Sequence, residues 1–139
     1  MNQAYAGDLS PKEAWELLRS DARAVLVDVR TPAEWAYVGI PDLSGIGKKP
    51  MLVPWVDFPA MQPNERFLDE VARALDLGSP VLLLCRSGAR SRAAAVALTA
   101  AGFGPCYNIA FGFEGDPDGQ RHRGTVSGWK VDGLPWVQT

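Results

Sequence analysis

The sequence predicts an α/β domain in which a mainly parallel sheet is covered by helices on both faces. Two short runs, Ala24-Val25-Leu26-Val27 and Val81-Leu82-Leu83-Leu84, are apolar at every position, as strands buried on both faces are. Stretches of helical spacing with their own start signals alternate with these runs, and that alternation builds crossover-linked parallel strands. The second run passes through a glycine-containing loop directly into an alanine-rich stretch. That is strand, loop, helix.

Size and charge set the frame. A chain of 139 residues is one domain, long enough to bury its core without staples, and 47% hydrophobic with 22% charged residues is ordinary for a globular protein. The net charge of −2 argues against a nucleic-acid or anionic-membrane partner, so any anion site must be local. Residues 1–8 lack a basic stretch followed by an apolar one, and no apolar run approaches the ~18 residues of a membrane span. The cytoplasm is therefore expected, with Cys85 and Cys106 reduced. His122 is the sole histidine and no Cys/His cluster has zinc spacing, so neither a metal nor another cofactor is expected.

Ser10-Pro11-Lys12-Glu13 is a capping box with proline at the first helical position, opening a helix over residues 11–19 with Ala14, Leu17 and Leu18 on one face. A strand over 24–29 comes next. Thr31-Pro32-Ala33-Glu34 is a second capping box for a short helix toward Val38. Asp28 and Arg30 fall at the C-terminal end of the strand, where open parallel sheets place their ligands; Asp28 is read as a turn anchor or the partner of an arginine. Residues 42–50, rich in Gly and Lys, read as a loop, and 51–53 as a strand. Trp55 and Phe58 between prolines are read as exposed, either packed under the loop or forming a wall of a cleft or partner patch. Leu68, Val71, Ala72 and Leu75 recur at i, i+3, i+4 and i+7, predicting a helix over 64–77 that stops at Gly78. The active strand, a helix over 91–101 ending at Gly102, and a last strand over 106–109 complete the series.

The organising stretch is Cys85-Arg86-Ser87-Gly88-Ala89-Arg90-Ser91. Backbone N–H groups of such a loop and of the first helical turn have no intrahelical partner, so they form an anion-binding concavity. A thiol there, beside guanidinium groups, falls from ~8.5 to roughly 3.5–7.5, which gives a standing thiolate nucleophile at neutral pH. Cysteines ending buried strands are usually inert core. Here Arg86 and Arg90 with intervening serines and a glycine argue for a reactive Cys85, since a core would have to desolvate both charges. Cys106 is read as core, with a resolving thiol as the alternative.

This loop resembles the active-site loop of rhodanese-type sulfurtransferases, and Val27-Asp28-Val29-Arg30-Thr31-Pro32-Ala33-Glu34-Trp35 resembles that family's other signature. Asn108-Ile109-Ala110-Phe111-Gly112-Phe113 is similar to the segment after its last strand, though the family commonly carries a glycine pair there. The resemblance covers about residues 10–114 and leaves 115–139 as an extension. It implies a three-layer fold with a five-stranded sheet, and transfer of sulfane sulfur from thiosulfate or a persulfide donor to cyanide, a thiol or a protein acceptor through a Cys85 persulfide. Catalysis falls to Cys85, and binding of the small anionic donor to Arg86, Ser87, Gly88, Ala89, Arg90, Ser91 and Arg30. A sulfur-carrier or protein-docking module with little turnover is the alternative. Phosphatases hold a thiolate in a Cys-x5-Arg loop, whereas Ser91 stands at that position here, which argues against them. Gly39-Ile40-Pro41 lacks the histidine common in the family. The tail from Phe111 to Thr139 reads either as a solvated charge run or as a loop folded over Cys85, with Arg121 or Arg123 adding charge and Trp129 docking it.

Overall fold

The computed structural model describes residues 4–57 and 62–138. In chain order the elements are β1 (Gly7–Leu9), α1 (Pro11–Ser20), β2 (Val25–Asp28), α2 (Pro32–Val38), β3 (Ile40–Pro41), β4 (Met51–Leu52), β5 (Val56–Asp57), β6 (Gln62–Pro63), α3 (Phe67–Ala74), β7 (Val81–Leu84), α4 (Ala89–Ala100), β8 (Cys106–Ile109) and β9 (Trp136–Val137). Five strands form one sheet in the order β1-β8-β7-β2-β4, and every pairing in it is parallel. The apolar runs β2 and β7 lie side by side at its centre, Val25 opposite Val81 and Asp28 opposite Leu84.

Side chains alternate across this sheet and feed two cores. Val27, Val81, Leu83 and Cys85 pack on one face with Phe67 and Val71 of α3 and Ala94, Ala95 and Leu98 of α4. Leu26, Leu82, Leu84 and Ile109 pack on the other with Ala14 and Leu18 of α1, Phe113 and Trp129. The result is the three-layer arrangement that the alternation of elements predicts. Both capping boxes are present, Ser10 with Glu13 and Thr31 with Glu34, each with proline in the first turn.

Three elements differ from expectation. α3 is shorter than residues 64–77 because Asn64 forms a local turn, accepting from the Arg66 N–H while its amide donates to the Pro54 carbonyl, and Leu75 is already extended. Its buried face is set by Phe67 and Val71; Leu68 points outward. Trp55 is half-buried and meets Phe67 edge to face at 5.1 Å, so it is a packing residue; Phe58 lies outside the described residues. β1 and β9 have no sequence signal of their own. β1 extends the sheet beside β8, and β9 pairs antiparallel with β3.

The C-terminal segment is packed structure. Trp129 is fully buried, stacked edge-on against Trp15, and its indole N–H donates to the Pro135 carbonyl. Lys130 donates to the Val38 carbonyl and lies 3.9 Å from the Trp136 ring centre, so the segment is tied to the end of α2. Of the charged side chains between, Arg121 and His122 are exposed, while Arg123 donates to the Gly115 carbonyl. Gly112 lets this segment approach the loop after β7: a Cβ there would lie 2.3 Å from the Cys85 carbonyl oxygen, and its φ is +60°. Gly112→Ala is expected to destabilise the fold by about 1–3 kcal/mol, the range for forced overpacking, in a urea unfolding series.

Candidate active site

β7 delivers Cys85 to the C-terminal end of the sheet, on the face covered by α4. Gly88 caps α4 with φ +118°, a conformation that strains any residue carrying a Cβ. The turn it makes aims its own N–H at Cys85 Sγ, 3.0 Å away. Ser91, in the first turn of the 12-residue α4, places Oγ 3.2 Å from the same sulfur. Cys85 is 1% exposed, so the sulfur sits under this cap, beside the positive end of a helix dipole.

A loop that points N–H groups inward turns carbonyls outward, and these need donors of their own. Phe113 N–H donates to the Cys85 carbonyl at 2.8 Å; Glu114 and Gly115 N–H donate to that of Arg86 at 3.0 and 3.1 Å. The glycine-rich C-terminal segment therefore holds the outside of the loop.

Among the expected anion-binding residues, Arg86 is exposed and, among the described residues, has no carboxylate partner. Ser87, Gly88 and Ala89 line a cleft of about 420 Å³ together with Asp8, Arg92 and Phe111. Phe111 is half exposed there and has φ +66°, the kind of backbone strain that gathers at functional sites. A larger hollow of about 560 Å³ beside Asn64, Glu65 and Arg66 has no nucleophile among its described lining residues.

Arg90 and Arg30 are engaged elsewhere. Arg90 makes a two-pronged pair with Glu34 at 2.7 and 2.9 Å, linking the start of α4 to α2. Arg30 is fully buried, forks onto Asp28 at 2.9 and 2.7 Å, donates to the Gly39 carbonyl, and stacks 4.3 Å above the Phe113 ring. The reading of Asp28 as the partner of an arginine matches this geometry.

Cys106 stands opposite Val81 in the β7–β8 register, four positions before Cys85 along the sheet. At about 3.3 Å per residue the two cysteines are roughly 13 Å apart, beyond the ~7 Å Cα separation that a disulfide spans. Burial pushes the Cys106 thiol up, against a weaker opposing contact from Thr99, so it is a protonated core residue.

Glu34, Asn108 and Asp8 stand at this site without being candidates from sequence. The capping box is a sufficient reason for Glu34, and it hides a second role. The carboxylate does both tasks, accepting from Thr31 and from Arg90. Asn108, 1% exposed within a strand otherwise apolar or aromatic, carries a signal: a buried amide needs partners. Asp8 has none.

Burial alone would raise the Glu34 carboxyl, but Arg90 and the Thr31 donors outweigh it and hold the group below the ordinary 4.5. A lowered folded-state value means that the unfolded chain binds the proton more readily, so this pair stabilises fully above about pH 4.5 and is lost as pH falls through the folded value. Melting temperatures followed from pH 7 to pH 3 should therefore show Glu34→Gln less stable than wild type at pH 7. The two curves should converge in acid.

Comparison with known proteins agrees with this architecture. Residues 6–139 match a family model described as the STR4 middle domain. The chain is 39% identical to the uncharacterized protein RC0915 of Rickettsia conorii over 126 residues, 89% of this chain and 91% of that protein. It is 30% identical to the thiosulfate sulfurtransferase GlpE of Actinobacillus pleuropneumoniae over 128 residues, 92% of this chain and 90% of that protein. The crystal structure of Rv0390 from M. tuberculosis superposes with a TM-score of 0.90 at 47% identity, covering 97% of this chain and 99% of that one. A rhodanese-like domain protein from Staphylococcus aureus shares the fold, with a TM-score of 0.60 at 19% identity over 95% of this chain and 99% of that one. A cysteine at the end of the central parallel strand, in a chain with these relatives, has one family assignment: the protein belongs to the rhodanese-like sulfurtransferases.

Proposed function

We propose that this protein moves sulfane sulfur through a persulfide on Cys85. The observation that carries the reading is the Gly88 N–H aimed at Cys85 Sγ, 3.0 Å away, at the start of α4. A donor fixed at a helix start stabilises negative charge on sulfur without reorganising during the reaction. In the first half-reaction the Cys85 thiol releases its proton to solvent, and the thiolate attacks the outer sulfur of thiosulfate. The sulfur–sulfur bond to Sγ forms, the bond to the sulfonate sulfur breaks, and sulfite leaves with that electron pair. In the second, a thiolate or cyanide attacks the outer sulfur, taking it as a new persulfide or as thiocyanate and returning the Cys85 thiolate. Splitting one transfer into two displacements predicts ping-pong kinetics.

Thiosulfate is the donor proposed because the sulfurtransferase relative carries that activity in its name. Arg86, which has no carboxylate partner among the described residues, supplies positive charge for it. Ser87, Gly88, Ala89 and Ser91 shape the cradle, Arg90 fixes the helix start through Glu34, and Arg30 supports the loop from beneath by way of Phe113. The acceptor is a small thiol or a thiol on another protein.

Intact-protein mass spectrometry after incubation with thiosulfate tests this directly. Wild type should gain one sulfur, about 32 Da, discharged by cyanide, and Cys85→Ala should gain none. Failure of wild type to load from thiosulfate or from a small persulfide would overturn the transfer reading in favour of a docking module. Cys106→Ala should turn over as wild type. Arg86→Ala should raise KM for thiosulfate about tenfold with little change in kcat, because the charge–charge contact acts on binding of the dianion.

A further inference from the structure

The Ser91 hydroxyl has one proton and two acceptors in reach. Cys85 Sγ lies 3.2 Å from its Oγ, and Asn108 Oδ1 makes a short contact with it. Which acceptor receives the proton is decided one residue further away. Asn108 Nδ2 lies 2.9 Å from Asp8 Oδ1, and an ionised carboxylate only accepts, so the amide must turn its NH2 toward Asp8 and its oxygen toward Ser91. That oxygen also only accepts. Ser91 therefore donates to Asn108, and what it presents to Cys85 is a lone pair, which suits a thiol S–H and does not suit a thiolate. Cys85, Ser91 and Asn108 are all buried, so water adds no donor to the Gly88 N–H that already reaches Sγ at 3.0 Å.

We propose that Asp8, from the edge strand β1, is a positioning residue for Cys85. Acting through Asn108 and Ser91, it withholds the Ser91 proton from an empty Cys85 thiolate and leaves the loaded form unpenalised. The inference rests on the persulfide reading for its second half. Once Sγ is bonded to the transferred sulfur it has no proton to place, and the negative charge sits on the outer atom. Ser91 then keeps its bond to Asn108 at no loss. The empty site is thereby less open to oxidants and stray electrophiles, which attack thiolates.

The other groups around this chain of hydrogen bonds are accounted for. On the Asp8 carboxylate, the Tyr5 hydroxyl donates to Oδ1 at 2.9 Å and the Arg92 guanidinium stands 3.8 Å from Oδ2, with Asp116 across the cleft. Near Cys85, Arg90 is paired with Glu34, Asp28 with Arg30, and Arg86 points to solvent. None of them replaces Ser91 as the hydroxyl next to Sγ.

The test is the rate of alkylation of Cys85 by iodoacetamide at pH 7, in Cys106→Ala protein so that one thiol is read. Asp8→Asn allows the Asn108 amide to turn, so that Asn108 donates to Ser91 and Ser91 to sulfur. Alkylation should speed up about tenfold and its pH profile should move to lower pH, the size expected when a buried sulfur anion regains a hydrogen bond. A through-space effect of the lost carboxylate would act in the same direction, and the background variant Ser91→Ala separates the two. Asp8→Asn should change nothing when Ser91 is absent. An unchanged rate in Asp8→Asn, or an acceleration that persists in Ser91→Ala, overturns the proposal. Asn108→Leu gives a second route, since it too frees Ser91 and should accelerate alkylation without adding to Asp8→Asn. Sulfur loading is measured on the same samples. Loading without any Asp8 effect on alkylation removes this inference alone, whereas an Asp8 effect without loading removes the transfer reading and leaves the hydrogen-bond chain standing.

Discussion

The structure depends on where the carbonyl groups of one loop go. Gathering N–H donors on a sulfur requires the opposite side of the same peptides to face outward as acceptors, and a buried acceptor left empty is destabilising. Here the Cys85 and Arg86 carbonyls are met by three consecutive amides, those of Phe113, Glu114 and Gly115. Gly112 permits the close approach, and Trp129, Lys130 and Trp136 anchor the C-terminal segment beyond it. That segment is thus the outer half of the Cys85 loop, and the two halves define each other's geometry.

Charge is arranged with the same restraint. The chain is net negative, and two of the arginines nearest the sequence motifs are matched by carboxylates, Arg30 by Asp28 and Arg90 by Glu34. Positive potential at the sulfur then comes mainly from fixed dipoles, the Gly88 N–H and the start of α4, with the exposed Arg86 beside them. Dipoles fixed in a folded loop keep their direction at any pH. Both Arg–carboxylate pairs are structural: Arg30–Asp28 braces the end of β2, and Arg90–Glu34 joins α2 to α4 and weakens in acid.

Much of this is legible in the residues themselves. The central strands, both capping boxes and the start of the active helix arise from local signals: apolar runs, proline at the first helical turn, serine or threonine three residues before glutamate. The Cys85 loop is legible because it sets an unusual combination of residues at fixed spacing, arginines one and five positions after a cysteine with a glycine between. What escapes is non-local. β1 has three residues and no pattern, and it exists because β8 offers an edge. The tail, with its many glycines, resembles a mobile loop in composition, yet the glycines are where backbones approach closely, a fact visible only with both backbones in place. α3 departs from its expected phase because Phe67, one residue from the expected stripe, packs beside Trp55. Asn108 shows its polarity in an apolar strand, but its partners are 17 and 100 residues away.

The sheet's borders have a further consequence. Its outer strands are β1, with three residues, and β4, with two, the latter flanked by Pro50 and Pro54. Proline cannot donate to a ladder, and two or three residues offer too few main-chain groups to template another chain. A protein whose central strands are among the most apolar sequences it contains is thereby guarded against edge-to-edge stacking into fibres.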